Sequence, residues 1–339
     1  MKTTIFNKKA LAFFGAAAIL LAAVFTIGCK TDKRSGTPAP ETFTVEMTAG
    51  EHGTLSANPA IPAGGKVAKD KVITFTATPT DGYGVDKWTI TGGTFEAETG
   101  TDGSTTAKVK ITANTTVKVS FYKEYVKVAL AGLDNHLKNT APDTDGIYYI
   151  EVTGLTAADL KGEYTYPVKP SALGKILNDN PTKKVALKLS EVSGLTDISA
   201  CFFNCKSLTQ APVIPSSVTN MQGCFIECTS LTQAPMIPSS VTNMSYCFDH
   251  CTNLTQAPVI PSTVTNMKQC FSYCEKITAV TLKCNYNAAV VDGDPVFKDA
   301  FYGCKKLTAG SIKVPAGQLQ TYKDNAATMG AQKEWFVAE

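Results

Sequence analysis

The chain has 339 residues, of which 44% are hydrophobic and 18% charged, and its formal net charge is +3. A length of this size favours two or more domains over one. Three lysines, Lys2, Lys8 and Lys9, precede Cys29, so that loss of this segment leaves a formal charge of zero. The small basic excess is therefore no sign of nucleic-acid binding, and no nucleic-acid partner is expected.

The amino-terminal segment has the pattern of an export signal. After the three lysines, residues 10–27 are almost wholly apolar, and Gly28 stands directly before Cys29. A small residue followed by cysteine resembles the lipobox of bacterial lipoproteins, which implies a signal peptide over 1–28 and membrane attachment through lipidated Cys29. The alternative is a transmembrane anchor, because the apolar run is close to the shortest length that spans a bilayer. Residues 29–41 are predicted to form a polar tether.

A small all-β domain is predicted over residues 42–123. Its β-branched and apolar residues show no helical period, and strands are predicted over 44–47, 72–77, 108–111 and 116–121. The pattern F-T-A-T-P-x-x-G-Y-x-V-x-K-W, followed by I-T-A-N-T-T-V-K-V-S-F, resembles the internalin-type B-repeat of bacterial surface proteins. Trp88 occupies the place of the family's tryptophan. It is expected in the core, where a small sheet needs a large side chain, and a ligand platform is the alternative.

Residues 124–180 are predicted to connect this domain to the next one and to cap the amino-terminal end of that next domain. A helix is predicted over 131–138, a strand over 147–152, and a helix over 171–177 that a serine begins. A strand over 185–189 then leads into a run of repeats. A cap is expected because the first unit of a stacked array has an open apolar face.

The most informative part of the chain is a tandem repeat. The segment from Val218 to Ser240 returns almost unchanged from Val241 to Thr263, and cysteines at 201, 224, 247 and 270 mark a step of 23 residues. A fixed period in this range is typical of a solenoid, because one short unit cannot bury its own apolar face. An α/β solenoid is therefore predicted over residues 181–310, with a carboxy-terminal cap over 311–339.

Each unit has an extended half and a helical half. In the extended half Leu208, Ala211 and Val213 follow the L-x-x-L-x-L spacing of leucine-rich repeats and are predicted to point inward. The positions between them, including Gln210 and Ile214, are then predicted to face outward.

In the second half, Met221, Cys224, Phe225 and Cys228 recur at steps of three and four, which predicts one or two helical turns. Asn220, in the slot before them, is predicted to cap free backbone N–H groups.

The unit C-F-x-x-C…L-x-x-A-P…V-T-N-M resembles the BspA-type leucine-rich repeats of bacterial surface lipoproteins, over roughly residues 181–314. The family unit usually has Ala-Phe or Met-Phe where this chain has Cys-Phe. The resemblance implies a protein of the outer membrane or cell surface that adheres to host matrix proteins or to bacterial surface proteins, without enzymatic activity. The alternative is a structural or spacer lipoprotein of the envelope with no specific ligand.

Cysteine is the strongest chemical signal, with ten residues beyond Cys29. Metal binding is not expected, because the C-x-x-x-C spacing is not that of zinc sites. Two interpretations remain open. The thiols are either small buried hydrophobic groups or partners in disulfides between neighbouring repeats, which the stacking distance and an exported location allow.

No catalytic residue, metal site or cofactor is predicted. The three histidines, His52, His136 and His250, fall in separate segments, and His250 is expected to face solvent. Short acidic stretches near Asp143 and Asp292 have too few carboxylates for a calcium loop.

The predicted binding surface is the outward face of the extended halves, where apolar side chains next to hydrogen-bonding ones resemble a partner surface. The candidate ligand-binding residues repeat every 23 positions as Gln210 and Ile214, Gln233 and Ile237, and Gln256 and Ile260.

Overall fold

The computed structural model describes residues 39–339, so the predictions for the signal peptide and Cys29 lie outside the described residues. Within that range, no helix is both long and apolar enough to cross a membrane.

The amino-terminal domain is built from two sheets. One has the strand order β3-β1-β7-β5 and the other β2-β4-β6, and only the β1–β7 pair is parallel. The strands are β1 Thr42–Ala49, β2 Gly53–Asn58, β3 Lys66–Ala68, β4 Val72–Pro79, β5 Tyr83–Thr91, β6 Thr106–Lys110 and β7 Thr115–Lys123. The four predicted strands correspond to β1, β4, β6 and β7, whereas β2, β3 and β5 were missed.

The core of this domain lies between the two sheets. Phe75, Val109 and Val117 are fully buried there, and Trp88 is 4% exposed. The Trp88 Nε1–H donates a hydrogen bond of 2.7 Å to the backbone oxygen of Ser104. Burial with a satisfied donor is what a core tryptophan needs. The core prediction for Trp88 is confirmed.

The connector adds a parallel sheet of order β11-β10-β9-β8, with two helices packed against it. The predicted helices and strands are confirmed to within one or two residues. Ser171 caps the second helix through a hydrogen bond from the Gly174 N–H to its side chain. The elements are β8 Val126–Ala129, α1 Leu130–Asn139, β9 Tyr148–Thr153, a 3-10 helix Ala157–Leu160, α2 Ala172–Asp179, β10 Val185–Leu189 and β11 Leu208–Gln210.

Lysines hold this connector against the first domain. The Lys123 Nζ forms an ion pair with Asp143 and lies over the rings of Tyr83, at 4.4 Å, and Tyr149, at 4.7 Å. A second lysine, Lys188 on β10, lies 5.8 Å from the ring centroid of Tyr122 on β7. Cation–π contacts and an ion pair therefore join the end of β7 to the connector sheet.

The prediction of helical turns in the repeats is wrong, because the backbone there folds into a chain of tight turns. Successive backbone N–H groups donate in turn to an oxygen of the same unit and to an oxygen of the next unit. The Cys224 N–H donates to the Met221 oxygen, and the Phe225 N–H donates to the Cys247 oxygen. Positive φ angles recur at Gly223 and Glu227 and at the equivalent positions of the neighbouring units. Left-handed residues at these two points prevent a continuous helix.

The inward side chains of these turns were predicted correctly. Met221, Cys224, Phe225 and Cys228 are each 0% exposed. The Asn220 side chain caps as predicted, accepting from the Gln222 N–H at 3.1 Å. The buried phenylalanines stack in a column with ring centroids 5.3 to 5.9 Å apart, through Phe202, Phe225, Phe248, Phe271 and Phe301.

On the strand side of the repeats, backbone pairing is interrupted. The first sheet ends at β11, and a second sheet of order β12-β13-β16-β17 begins two units later. Between them, one bridge joins Gln233 to Gln256. Proline lacks the N–H that a ladder requires, and the A-P step in each unit accounts for the break. The strands are β12 Val259–Ile260, β13 Val280–Leu282, β16 Ile312–Val314 and β17 Phe336–Ala338.

The carboxy-terminal end contains an inserted hairpin and a closing unit. The buried Tyr322 donates a hydrogen bond of 2.9 Å to the backbone oxygen of Cys284. Phe336 is buried on β17, and Trp335 packs partly buried beside it. The remaining elements are β14 Val290–Val291, β15 Asp294–Pro295, a 3-10 helix Ala316–Gln318, α3 Leu319–Asp324 and a 3-10 helix Lys333–Trp335.

Candidate functional site

The strand face of the repeats is the candidate site, and its apolar residues differ from those predicted. Gln210, Gln233 and Gln256 are exposed, as the sequence predicts. The three isoleucines are not: Ile214, Ile237 and Ile260 are 5%, 6% and 0% exposed. The prediction that they face outward is wrong.

The error comes from the L-x-x-L-x-L spacing, which placed Leu208, Ala211 and Val213 inward. Alternation of inward and outward side chains holds only along an extended strand, and β11 ends at Gln210. Ala211 and Pro212 follow, and proline fixes its own φ and restricts the residue before it. Beyond this step Ile214, six residues from Leu208, points inward like Leu208, while Val213 points out.

The exposed apolar column therefore consists of different residues. Val213 is 82% exposed, Met236 is 85% exposed and Val259 is 55% exposed. Each of them follows the proline of its unit. A signal for this column was present in the sequence, in the repeated A-P-x-I-P step, but the L-x-x-L-x-L spacing assigned it to the core.

Two of these side chains border an open groove. The chain from Ala234 to Ile237 forms one wall and the chain from Pro258 to Pro261 forms the other, with Met236 and Val259 facing the groove. Among the backbone bonds of residues 39–339, none is donated by the Met236 or Ile237 N–H. The wall of the groove thus combines apolar side chains with free backbone donors.

A polar band runs beside the apolar column. The Gln233 Nε2 donates a hydrogen bond of 2.9 Å to the Gln256 Oε1 of the next unit. Gln210, Thr209 and Thr232 line the same surface farther toward the connector. These groups carry no charge, and Lys283 at the other end is paired with Glu339. Hydrogen bonds and apolar contact, rather than electrostatic steering, would hold a partner here.

The cysteines take no part in this surface. All ten of the described residues are buried and unpaired. Burial raises the pKa of the Cys201 thiol to about 12, and the same cause raises the pKa of Cys304 to about 12. A thiol that stays protonated is a poor nucleophile and a poor metal ligand. Of the two interpretations, the structure shows buried thiols.

The candidate metal ligands of residues 39–339 do not come together. No group of three or more histidine, cysteine or carboxylate side chains is close enough to hold a metal ion. The histidines stay in separate places: His52 stacks on Tyr83, His136 lies by Tyr148, and His250 contacts Asp249. In the acidic stretch near Asp143, the Asp143 carboxylate forms an ion pair with Lys123.

Comparison with protein families gives two matches. Residues 188–308 match the model of the BspA type leucine rich repeat region in 6 copies. Residues 43–124 match the divergent InlB B-repeat domain. Comparison with curated proteins and with solved structures gives no match. The chain is therefore a multidomain protein with a strand-rich B-repeat domain at its amino-terminal side, followed by BspA-type leucine-rich repeats.

Proposed function

We propose that this chain is a lipid-anchored bacterial surface protein that binds other proteins through the strand face of its repeats, in the manner of an adhesin. Lipidated Cys29 would hold it at the outer membrane or cell surface, with residues 29–41 as tether. Repeat domains of these two families are typically binding modules without enzymatic activity. The partners would be host matrix proteins or bacterial surface proteins.

The proposal includes a solenoid of 23-residue units over residues 181–310. Three observations support it. The Cys and Phe columns recur at that step in the sequence, the phenylalanine rings stack unit upon unit, and N–H groups bond from one unit to the next, as from Met221 to Asn243 and from Met244 to Asn266.

The observation that carries the binding proposal is the exposed column of Val213, Met236 and Val259. A free-standing repeat array gains nothing from a methionine and two valines in water. An exposed apolar strip bordered by hydrogen-bonding groups is the composition of a partner surface. The neighbouring Gln210, Gln233 and Gln256 supply those groups, and they keep the role that the sequence assigns to them.

The test replaces Val213, Met236 and Val259 together with serine. Binding of the purified chain to immobilised fibronectin and to whole bacterial cells should fall at least tenfold, or about 1.4 kcal/mol. The matched control replaces Val290 and Val291 with serine, because these valines are exposed on the inserted hairpin, outside the strand face.

Unchanged binding by the triple variant would remove the strand face from the proposal. Absence of binding by the unaltered chain to either surface would favour the spacer lipoprotein instead.

A further inference from the structure

The strand face carries no charge along its three central units. The extended halves over residues 208–214, 231–237 and 254–260 contain no lysine, arginine, aspartate or glutamate. A face that carries charges of one sign repels a second copy of itself, because like charges are brought together in the contact. The neutral strand face has no such barrier, so a second copy of the chain is an electrostatically permitted partner.

The glutamine column has hydrogen-bonding groups that are not used within the chain. The bond from the Gln233 Nε2 to the Gln256 Oε1 takes up one donor and one acceptor of these two amides. Among residues 39–339, the Gln210 amide and the Gln233 Oε1 form no side-chain hydrogen bond. An amide is a donor and an acceptor at once, so it can pair with another amide of its own kind. The column can therefore bond to an identical column that faces it.

The apolar column combines projecting side chains with a recess. Val213 and Met236 project into solvent, and the groove between Met236 and Val259 has a volume of about 500 Å³. Each partner in a contact between identical faces must supply what the other receives, so that a projection and a recess are needed on the same face. The strand face has both, at adjacent units.

The stacking of the units keeps two such faces in register. The rings of Phe202, Phe225, Phe248 and Phe271 follow one another at 5.3 to 5.5 Å, and this is the step from one unit to the next. A second copy has the same step along its own strand face. A contact that fits at one unit therefore recurs at the neighbouring units.

The two ends of the face differ in charge. Lys184 precedes β10, two units before the unit of Met236, and it forms no ion pair among the described residues. Lys283 follows β13, two units after the unit of Met236, and it is paired with Glu339. A two-fold axis at Met236 brings opposite ends of two faces together. The unpaired Lys184 of each copy then comes opposite the end of the other copy that holds the Glu339 carboxylate.

We propose that the strand face binds the strand face of a second copy of this chain, with a two-fold axis close to Met236. This inference rests on the proposed function, because it uses the same face, and it identifies the bacterial surface protein that is bound there as the chain itself. Each Met236 enters the groove of the other copy, and Gln210 of one copy meets Gln256 of the other. One such contact is small and weak, and many copies on one cell surface strengthen it by multivalency.

Two charge substitutions at Met236 test this arrangement. The side chain is 85% exposed, so the fold should survive both Met236→Lys and Met236→Glu. Each variant alone should self-associate at least tenfold more weakly than the unaltered full chain, because the axis brings two like charges together. Sedimentation velocity over a range of protein concentrations measures this. An equal mixture of the two variants should associate at least as strongly as the unaltered chain, since opposite charges then meet.

The matched control places the same charges on the inserted hairpin. Val290 is exposed on β14, outside the strand face. Val290→Lys and Val290→Glu should each associate within twofold of the unaltered chain, and mixing them should change nothing. Rescue by mixing at Met236 but not at Val290 requires that Met236 of one copy lies near Met236 of the other.

Three results would overturn the inference: an unaltered chain that stays monomeric at every concentration, charge variants of Met236 that associate like the unaltered chain, or a mixture without rescue. A monomeric chain that still binds fibronectin would overturn this inference alone and leave the proposed function in place. Self-association that shows the rescue, in a chain that binds neither fibronectin nor whole cells, would support the inference and contradict the proposed adhesion.

Discussion

The Cys251 thiol lies 3.0 Å from the backbone oxygen of Phe225, a residue 26 positions earlier, and donates a hydrogen bond to it. The same contact recurs in three other units, from Cys228 to Phe202, from Cys274 to Phe248 and from Cys304 to Phe271, each at 3.1 Å. The second cysteine of each pair therefore fills core volume and also bonds one unit to its predecessor.

The thiols should be unreactive in the native protein. Most of the ten cysteines among residues 39–339 should resist a polar thiol reagent, because they are buried and burial raises the pKa of thiols such as Cys247 and Cys270 well above the usual value. Unfolding without reductant should then expose them all, and a thiol count will show this. A count near zero after such unfolding would mean that disulfides link the units.

Removal of one of these thiols should destabilise the repeats. Cys251→Ala leaves a small cavity and deletes the bond to the Phe225 oxygen, so the free energy of unfolding should fall by about 1–2 kcal/mol. Urea denaturation measures this.

The three isoleucines of the strand side should be essential for folding. Replacement of Ile214, Ile237 and Ile260 with serine removes buried apolar volume and buries three hydroxyls, at about 3 kcal/mol or more for each site. Their sum exceeds the stability of many domains. Circular dichroism should show loss of the repeat region, whereas serine at Val213, Met236 and Val259 should change the unfolding free energy by about 0.5 kcal/mol or less per site.

The repeats show which features a sequence reveals and which it hides. Period and composition predicted the buried residues of the turn half, because Met221 and Phe225 point inward whether the backbone is helical or turned. The backbone path was not predictable from that pattern, since non-glycine residues such as Glu227 and His250 adopt positive φ there. On the strand side, the L-x-x-L-x-L spacing assigned Val213 to the core, whereas Leu208 and Ile214, six residues apart, point inward and Val213 lies exposed.

Lipidation should depend on Cys29. Cys29→Ala should yield an unprocessed or soluble protein, because the thiol is the group that receives the lipid in the proposed modification. Detergent-phase partitioning of the two proteins measures this. The Cys304→Ala variant is the control, as Cys304 is buried in the repeats. If Cys29→Ala and the unaltered chain partition equally into the detergent phase, lipid attachment at this residue is contradicted.

The Lys123 side chain forms an ion pair with Asp143 that spans the junction between the B-repeat domain and the connector. The lysine holds the pKa of the Asp143 carboxyl below its usual value, chiefly through their hydrogen bond. Lys123→Met keeps most of the apolar stem, but it removes the charge that faces Asp143 and the rings of Tyr83 and Tyr149.

The variant should loosen the junction at a cost of about 1.5–3 kcal/mol, the range for hydrogen bonds to charged groups. Amide hydrogen exchange over residues 122–126 should become at least threefold faster. Lys127→Met is the matched control, because the Lys127 side chain is 72% exposed and lies 3.8 Å from Glu151. A pair with that exposure contributes about 0–1 kcal/mol, so exchange in the control should stay near that of the unaltered chain. Equal exchange rates in both variants would show that the backbone path from β7 to β8, rather than Lys123, fixes the junction.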